Sequence, residues 1–318
     1  MTIKPSNILH ALTWLVLAQP AARSAALPPA TSPVALKKQV LDVSATWIDN
    51  QLDFVNESNA EVTQQMVYAL PQYRSRLGST SRLVEPGFDP EKPRWHRFAV
   101  EVDGKPVPFQ RTVDAIYQGR SIKTKLQQLG LNEDQIAYGS VENFGAIKQL
   151  SAGQVRQLVA LGLMTGKPDR TSGAYWSVKV SYTWQQKFLP HQSVHVGHKF
   201  APNVVRGLDE VPRLAGFSEK YCADKNFITG WNKLRTHSGR PVNAFFVSHL
   251  LVGSPYHVIE DFTLKLRKNF ADDLVTLCFP GKVKKIGEMQ YQLHLQNFRP
   301  VQDLEVYFGA GELGRGAG

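Results

Sequence analysis

Cysteine is scarce, catalytic motifs are missing, and the one apolar run near the N-terminus is too short to cross a bilayer. Only Cys222 and Cys278 occur in the 318 residues. A metal site would need more His, Cys or acidic ligands beside them, and none clusters there, so no metal is expected. Gly-rich phosphate loops are absent, and so is any Cys–His arrangement of protease type. Ser238-Gly239 beside His237 lacks the strand–turn–helix elbow and flanking glycines of a hydrolase nucleophile. No cofactor and no specific nucleic-acid motif is implied.

What is present is a basic, globular composition. Charged residues make up 20% and apolar residues 42%, with a formal charge of +10. Such a surface attracts anionic envelope polymers, headgroups or nucleic acid. Yet the basic residues are spread singly, and the densest group, Lys282, Lys284 and Lys285, is short and broken by Val283.

The first residues read as a secretory signal. Lys4 gives the positive start, Ile8–Ala18 is apolar, Pro20 breaks the run, and small residues follow to Ala26. Residues 1–26 are expected to be removed, without a transmembrane anchor, and 27–37 form a Pro-rich leader. Removal takes away Lys4 and Arg23 and leaves a charge of +8. The expected location is periplasmic or secreted. In an exported chain the two cysteines should be bridged. A loop of about 55 residues closed in this way adds about 4 kcal/mol on the chain-entropy estimate.

The clearest local pattern runs through Trp176, Val178, Val180, Tyr182, Trp184 and Phe188, which alternate with Ser177, Lys179, Ser181, Thr183, Gln185 and Lys187. Period two means one dry and one wet face, the mark of an antiparallel sheet over a core. Further strands are expected from Leu41 to Phe54, Val62 to Leu70 and Phe98 to Phe109, the last turning at Asp103-Gly104. Val194–Phe200 is expected to pair with the aromatic strand across the turn at Pro190. Between Ser121 and Met164 the spacing is helical, with Gly130 ending one helix and Ser151 capping another. Strands return at Ala244–Val252, Val258–Arg267, Leu274–Phe279, Gln290–Gln296 and Leu304–Phe308. The expected fold is mainly β, with two β-sandwich-like domains of antiparallel strands. The first spans 38–206 with a helical insertion at about 118–168. The second, 207–309, bears the cysteines, and 310–318 is a disordered tail.

Several stretches resemble a bacterial exported family known as a domain of unknown function, number four-four-two-four. They are Leu52-Asp53-Phe54-Val55-Asn56, Val102-Asp103-Gly104-Lys105-Pro106-Val107, Leu158 to Leu163, Tyr182 to Phe188, His198-Lys199-Phe200-Ala201-Pro202, Tyr221-Cys222, Cys278 and Asp303 to Phe308. The likeness covers about residues 38–308. It implies export, a β-rich fold and a disulfide, and it supplies no reaction and no catalytic residues.

The remaining candidates are few. His191, His195 and His198 suggest a ligand set, but on a strand His195 and His198 face opposite sides. Glu260 and Asp261 are adjacent and diverge, and Glu260 shares the register of Phe262, Leu264 and Leu266 at a solvated strand end. Tyr73, Trp95, Tyr175 and Tyr256 stand near loops and could border a groove. The leading expectation is a non-catalytic exported protein binding an envelope or extracellular ligand or partner. One alternative is a secreted hydrolase assembled from loops, using Glu260, His257 and His198. The other is a polyanion-binding envelope protein.

Overall fold

A computed structural model describes residues 32–75, 98–138, 150–165, 174–200, 202, 204–207, 216–238, 243–249, 251 and 258–310. The expected signal peptide, residues 27–31 of the leader, Trp95, Tyr256, His257 and the tail beyond residue 310 lie outside the described residues.

The elements in chain order are β1 (Val34–Val43), β2 (Ile48–Asn56), β3 (Val62–Ala69), β4 (Tyr73–Arg74), β5 (Ala99–Val102), β6 (Lys105–Pro106), β7 (Gln110–Tyr117) and β8 (Arg120–Ser121). Three short helices follow, α1 (Lys123–Gln128), α2 (Glu133–Tyr138) and α3 (Ala152–Ala160), in the stretch where helical spacing was expected. Then come β9 (Ser177–Phe188), β10 (Ser193–Phe200), β11 (Val204–Gly207), α4 (Phe217–Tyr221), α5 (Lys225–Ser238), β12 (Asn243–His249), β13 (Ile259–Arg267), β14 (Leu274–Thr276), β15 (Lys284–Lys285), β16 (Gln290–Phe298) and β17 (Leu304–Ala310).

Local chemistry sets the turns and caps. Asp103 and Gly104 both take positive φ, 49° and 74°, as a tight hairpin turn requires. Ser151 accepts from the Gln154 amide while the Gln154 side chain accepts from the Ser151 amide, a capping box that starts α3. Between β1 and β2, Ser44 Oγ accepts from the Trp47 amide at 2.8 Å and holds the turn.

Three sheets result. The largest has the order β15-β16-β13-β1-β2-β10-β5-β6, the second β3-β9-β7-β8 with β4 also on β9, and the third β11-β12-β17-β14. The described strand pairs are antiparallel except β1 with β13, which run parallel from Lys38–Asp261 to Val43–Leu266. The expected boundary at residue 207 therefore falls inside one sheet, since β13 and β16 extend the sheet begun by β1 and β2.

The aromatic face of β9 is buried as expected, with Trp176 and Phe188 fully enclosed and Trp184 at 5%. Its partner differs from the expectation. β9 pairs with β3, β4 and β7, whereas β10 pairs with β2 and β5. The turn at 189–192, with His191 at φ 54°, carries the chain from one sheet to the other. The two inner faces then meet across the core, as Phe54 with Phe188 and Trp184 with His198 illustrate. Both arrangements satisfy the same alternation of side chains, so the pattern alone did not choose between them.

The third sheet shares this core on one face through Val247, Leu304, Val306 and Phe308. Its other face carries a second apolar group of Phe217, Tyr221, Phe227, Trp231 and Tyr307 beneath α4 and α5. Cys222 ends α4 in the left-handed region and is bonded to Cys278, as expected. No described helix is long and apolar enough to cross a membrane.

Candidate functional site

The structure separates the residues singled out from sequence. Tyr73 is half-buried on β4, and its hydroxyl donates to the Ala137 carbonyl at 2.9 Å. Tyr175 stands exposed just before β9, its amide bonded to the Leu163 carbonyl. Glu260 is exposed, while Ile259 beside it is buried, so the apolar register of Phe262 and Leu264 does not extend through Glu260. The neighbours explain the change of side. β1 slips register between Leu36 and Lys38, and Asn297 on β16 takes φ 51°. Lys37, at that slip, pairs with both Glu260 and Glu57 and so occupies the Glu260 carboxylate.

The three histidines do not converge. His191 Nε2 meets Asn59 Oδ1 at 2.7 Å in the turn. His195 lies on the wet face of β10, with Nδ1 against Asp53 and Nε2 against Gln51. Both of its ring nitrogens are engaged. His198 points inward and is 3% exposed. Tyr68, Phe98 and Trp184 surround it, with ring centroids 4.8, 5.8 and 5.2 Å away. Desolvation drives its pKa down to about 3, and nearby His249 acts in the same direction. His249, which accepts from or donates to the Tyr68 hydroxyl at 3.0 Å, is lowered to about 4 by its own burial. Histidines held neutral this way serve the packing and lack access to a substrate in solution.

The wet face of the large sheet carries charge in alternating rows. Lys38 lies opposite both Asp261 and Asp53, Lys265 opposite Asp42, and Lys199 opposite Asp49. Arg267 forks onto Asp42 through Nε and an Nη nitrogen. Opposite signs side by side neutralise these rows.

A cleft of about 300 Å3 opens instead on the helix side of the third sheet. Lys220, Tyr221, Phe246, Val247, Ser248, Glu305 and Val306 line it. β12 and β17 place Phe246 opposite Tyr307 and Ser248 opposite Glu305, so Phe246, Ser248 and Glu305 share one face. Val247 and Val306 border it from the strand backbone, because their side chains turn to the opposite, core face of the sheet. Tyr221 supplies the wall toward α4, and three ties hold it. Thr276 Oγ1 donates to its carbonyl at 2.8 Å, its neighbour Cys222 is in the disulfide, and its ring packs on Phe217, Phe246 and Tyr307.

At the mouth, the Lys220 ammonium donates to Glu305 at 2.8 Å and lies 5.1 Å from the centre of the Tyr221 ring. That carboxylate raises the Lys220 pKa. Burial raises the Tyr221 hydroxyl, with Lys220 opposing. The result is an aromatic wall of Tyr221 and Phe246 beside one exposed ion pair and two hydroxyls, those of Tyr221 and Ser248. It offers groups for binding, with neither an activated nucleophile nor a metal-ligand set among the described residues. None of Lys220, Phe246 and Ser248 stood out in the sequence. Tyr221, next to Cys222, and the Asp303–Phe308 stretch with Glu305 pointed there, through the family resemblance and without a functional role.

No curated protein matches the chain. Among solved structures, it is similar to a protein of Legionella pneumophila subsp. pneumophila str. Philadelphia 1 described provisionally as a nutrient binding protein. The two share 14% identity over 88% of this chain and 68% of that one, with a TM-score of 0.45. It is also similar, at 9% identity and a TM-score of 0.28, to an M1 zinc metallopeptidase of Deinococcus radiodurans solved as a mutant bound to a Tyr-Ser-Ala substrate. That likeness spans 87% of this chain and 42% of the peptidase. At these values neither likeness bears on function. The family described as a domain of unknown function (DUF4424) matches residues 28–307, nearly the whole length over which the resemblance was read. The chain belongs to that family.

Proposed function

We propose that the protein is an exported, non-catalytic β-protein that binds a small ligand outside the cytoplasm. The observation that carries this reading is the cleft under the Lys220–Glu305 pair, where an aromatic wall of Tyr221 and Phe246 combines with a few polar groups. Ligand sites commonly have this mix, in volumes of roughly 300–1,000 Å3, and this cleft is at the small end. Export is supported by the signal-like N-terminus and by a disulfide, a bond that persists in oxidising compartments.

The two alternatives find less support. For a hydrolase, Glu260 is tied to Lys37 and His198 is sealed in the core. For polyanion binding, Lys38, Lys199 and Lys265 in the middle of the large sheet each stand opposite an acid, while the edge residues Lys284 and Lys285 face neutral partners, Gln292 and Tyr291.

The test is a thermal-shift screen of the purified chain against small metabolites, alongside a turnover screen with glycan, peptide and ester substrates. Binders without turnover support the proposal. Turnover that disappears in Glu260→Gln or His198→Gln, with the melting temperature kept, would replace it with the hydrolase.

A further inference from the structure

Among the described residues, the mouth of the cleft holds one cation and one anion, and its remaining polar side chains are the Ser248 and Tyr221 hydroxyls. Lys220 and Glu305 are both about half exposed. An exposed pair of this kind is worth little, so opening it costs a ligand little. What replaces it must satisfy both ends. A ligand anion alone would pair with Lys220 and leave its own charge beside Glu305, and a ligand cation alone would do the converse. A molecule with both charges on neighbouring atoms can pair with both partners at once.

The aromatic wall then selects the rest of the molecule. Tyr221 and Phe246 have ring centroids 5.8 Å apart and stand on the cleft side of the sheet. That surface rewards an apolar or aromatic body and offers nothing to a second charged group. The volume limits that body to one side chain.

Resting on the binding reading above, we infer that the cleft takes a small zwitterion with a single apolar side group, of the α-amino-acid type. Its carboxylate pairs with Lys220, its ammonium pairs with Glu305, and its apolar group lies against Tyr221 and Phe246.

Isothermal titration of the purified chain with four probes tests this: free phenylalanine, its N-acetyl form, its amide, and the doubly blocked N-acetyl amide. Free phenylalanine should bind best, each single block should weaken it about five-fold, the loss of one exposed pair. In the Lys220→Ala/Glu305→Ala double variant, the four probes should bind alike. In the Lys220→Glu/Glu305→Lys exchange, the preference for the zwitterion should return, with near-ultraviolet circular dichroism reporting that each variant is folded. Equal binding of the doubly blocked probe to the unaltered chain would overturn the zwitterion while leaving an apolar binding site. No heat with any probe at millimolar concentration would also overturn it. In that case the metabolite screen decides separately whether the binding reading falls too.

Discussion

His198 and Trp184 meet edge to face inside the sandwich, with ring centroids 5.2 Å apart and planes inclined at 76°. Neither nitrogen of His198, nor Nε1 of Trp184, has a hydrogen-bond partner among the described residues. The cost of this arrangement depends on pH.

In the folded chain His198 takes up a proton only near pH 3 and His249 near pH 4, both because of burial. Unfolded, each titrates near 6.5. Between these values the unfolded chain binds more protons, so stability is full above about pH 6.5 and falls as pH drops. The slope approaches about 1.4 kcal/mol per pH unit for each histidine. Urea unfolding between pH 7 and 4 should show this fall. His198→Phe, which suits the aromatic surroundings, should flatten it by about half.

Gly309 lies under the Trp231 ring. A Cβ there would sit 2.5 Å from Trp231 Cζ3 and 2.9 Å from Cε3, and that ring is 1% exposed with no room to swing away. Gly309→Ala should therefore destabilise by about 1–3 kcal/mol, read as a lower denaturation midpoint at unchanged slope.

The Cys222–Cys278 bond joins residues 56 apart and anchors the end of α4 against the strand region. Cys222→Ser/Cys278→Ser should lower stability by about 4 kcal/mol on the chain-entropy estimate. It should also loosen the Tyr221 wall of the cleft, so ligand affinity should fall as well, and titration of the folded fraction measures this.

β13 runs parallel to β1 over six residue pairs, so residues 207–309 depend on a strand more than 200 residues upstream. Expressed alone, that segment should lack dispersed amide resonances in a proton–nitrogen spectrum. A well-dispersed spectrum would show that it folds without β1.

Much of this architecture was legible because burial leaves a period. The alternation from Trp176 to Phe188, the Asp103-Gly104 turn and the Ser151 cap all appear where the residues placed them. β7 escaped notice because its buried positions are only Val113 and Ala115, set among Arg111, Thr112 and Asp114, which gives little contrast. The pairing of β10 escaped because a short turn reads as a hairpin, whether it closes a ladder or crosses a core. The cleft was illegible for another reason. Lys220, Phe246 and Glu305 are far apart in the chain, and only the β12–β17 register and the end of α4 bring them together.

Ligand-induced stabilisation is the most direct measurement, made on the unaltered chain and on Ser248→Trp, whose added ring fills the cleft. A ligand should raise the melting temperature of the first and leave the second unmoved, since only a site at Ser248 is blocked. Equal shifts in both proteins, or substrate turnover lost with Glu260→Gln, would contradict a binding protein that works through this cleft.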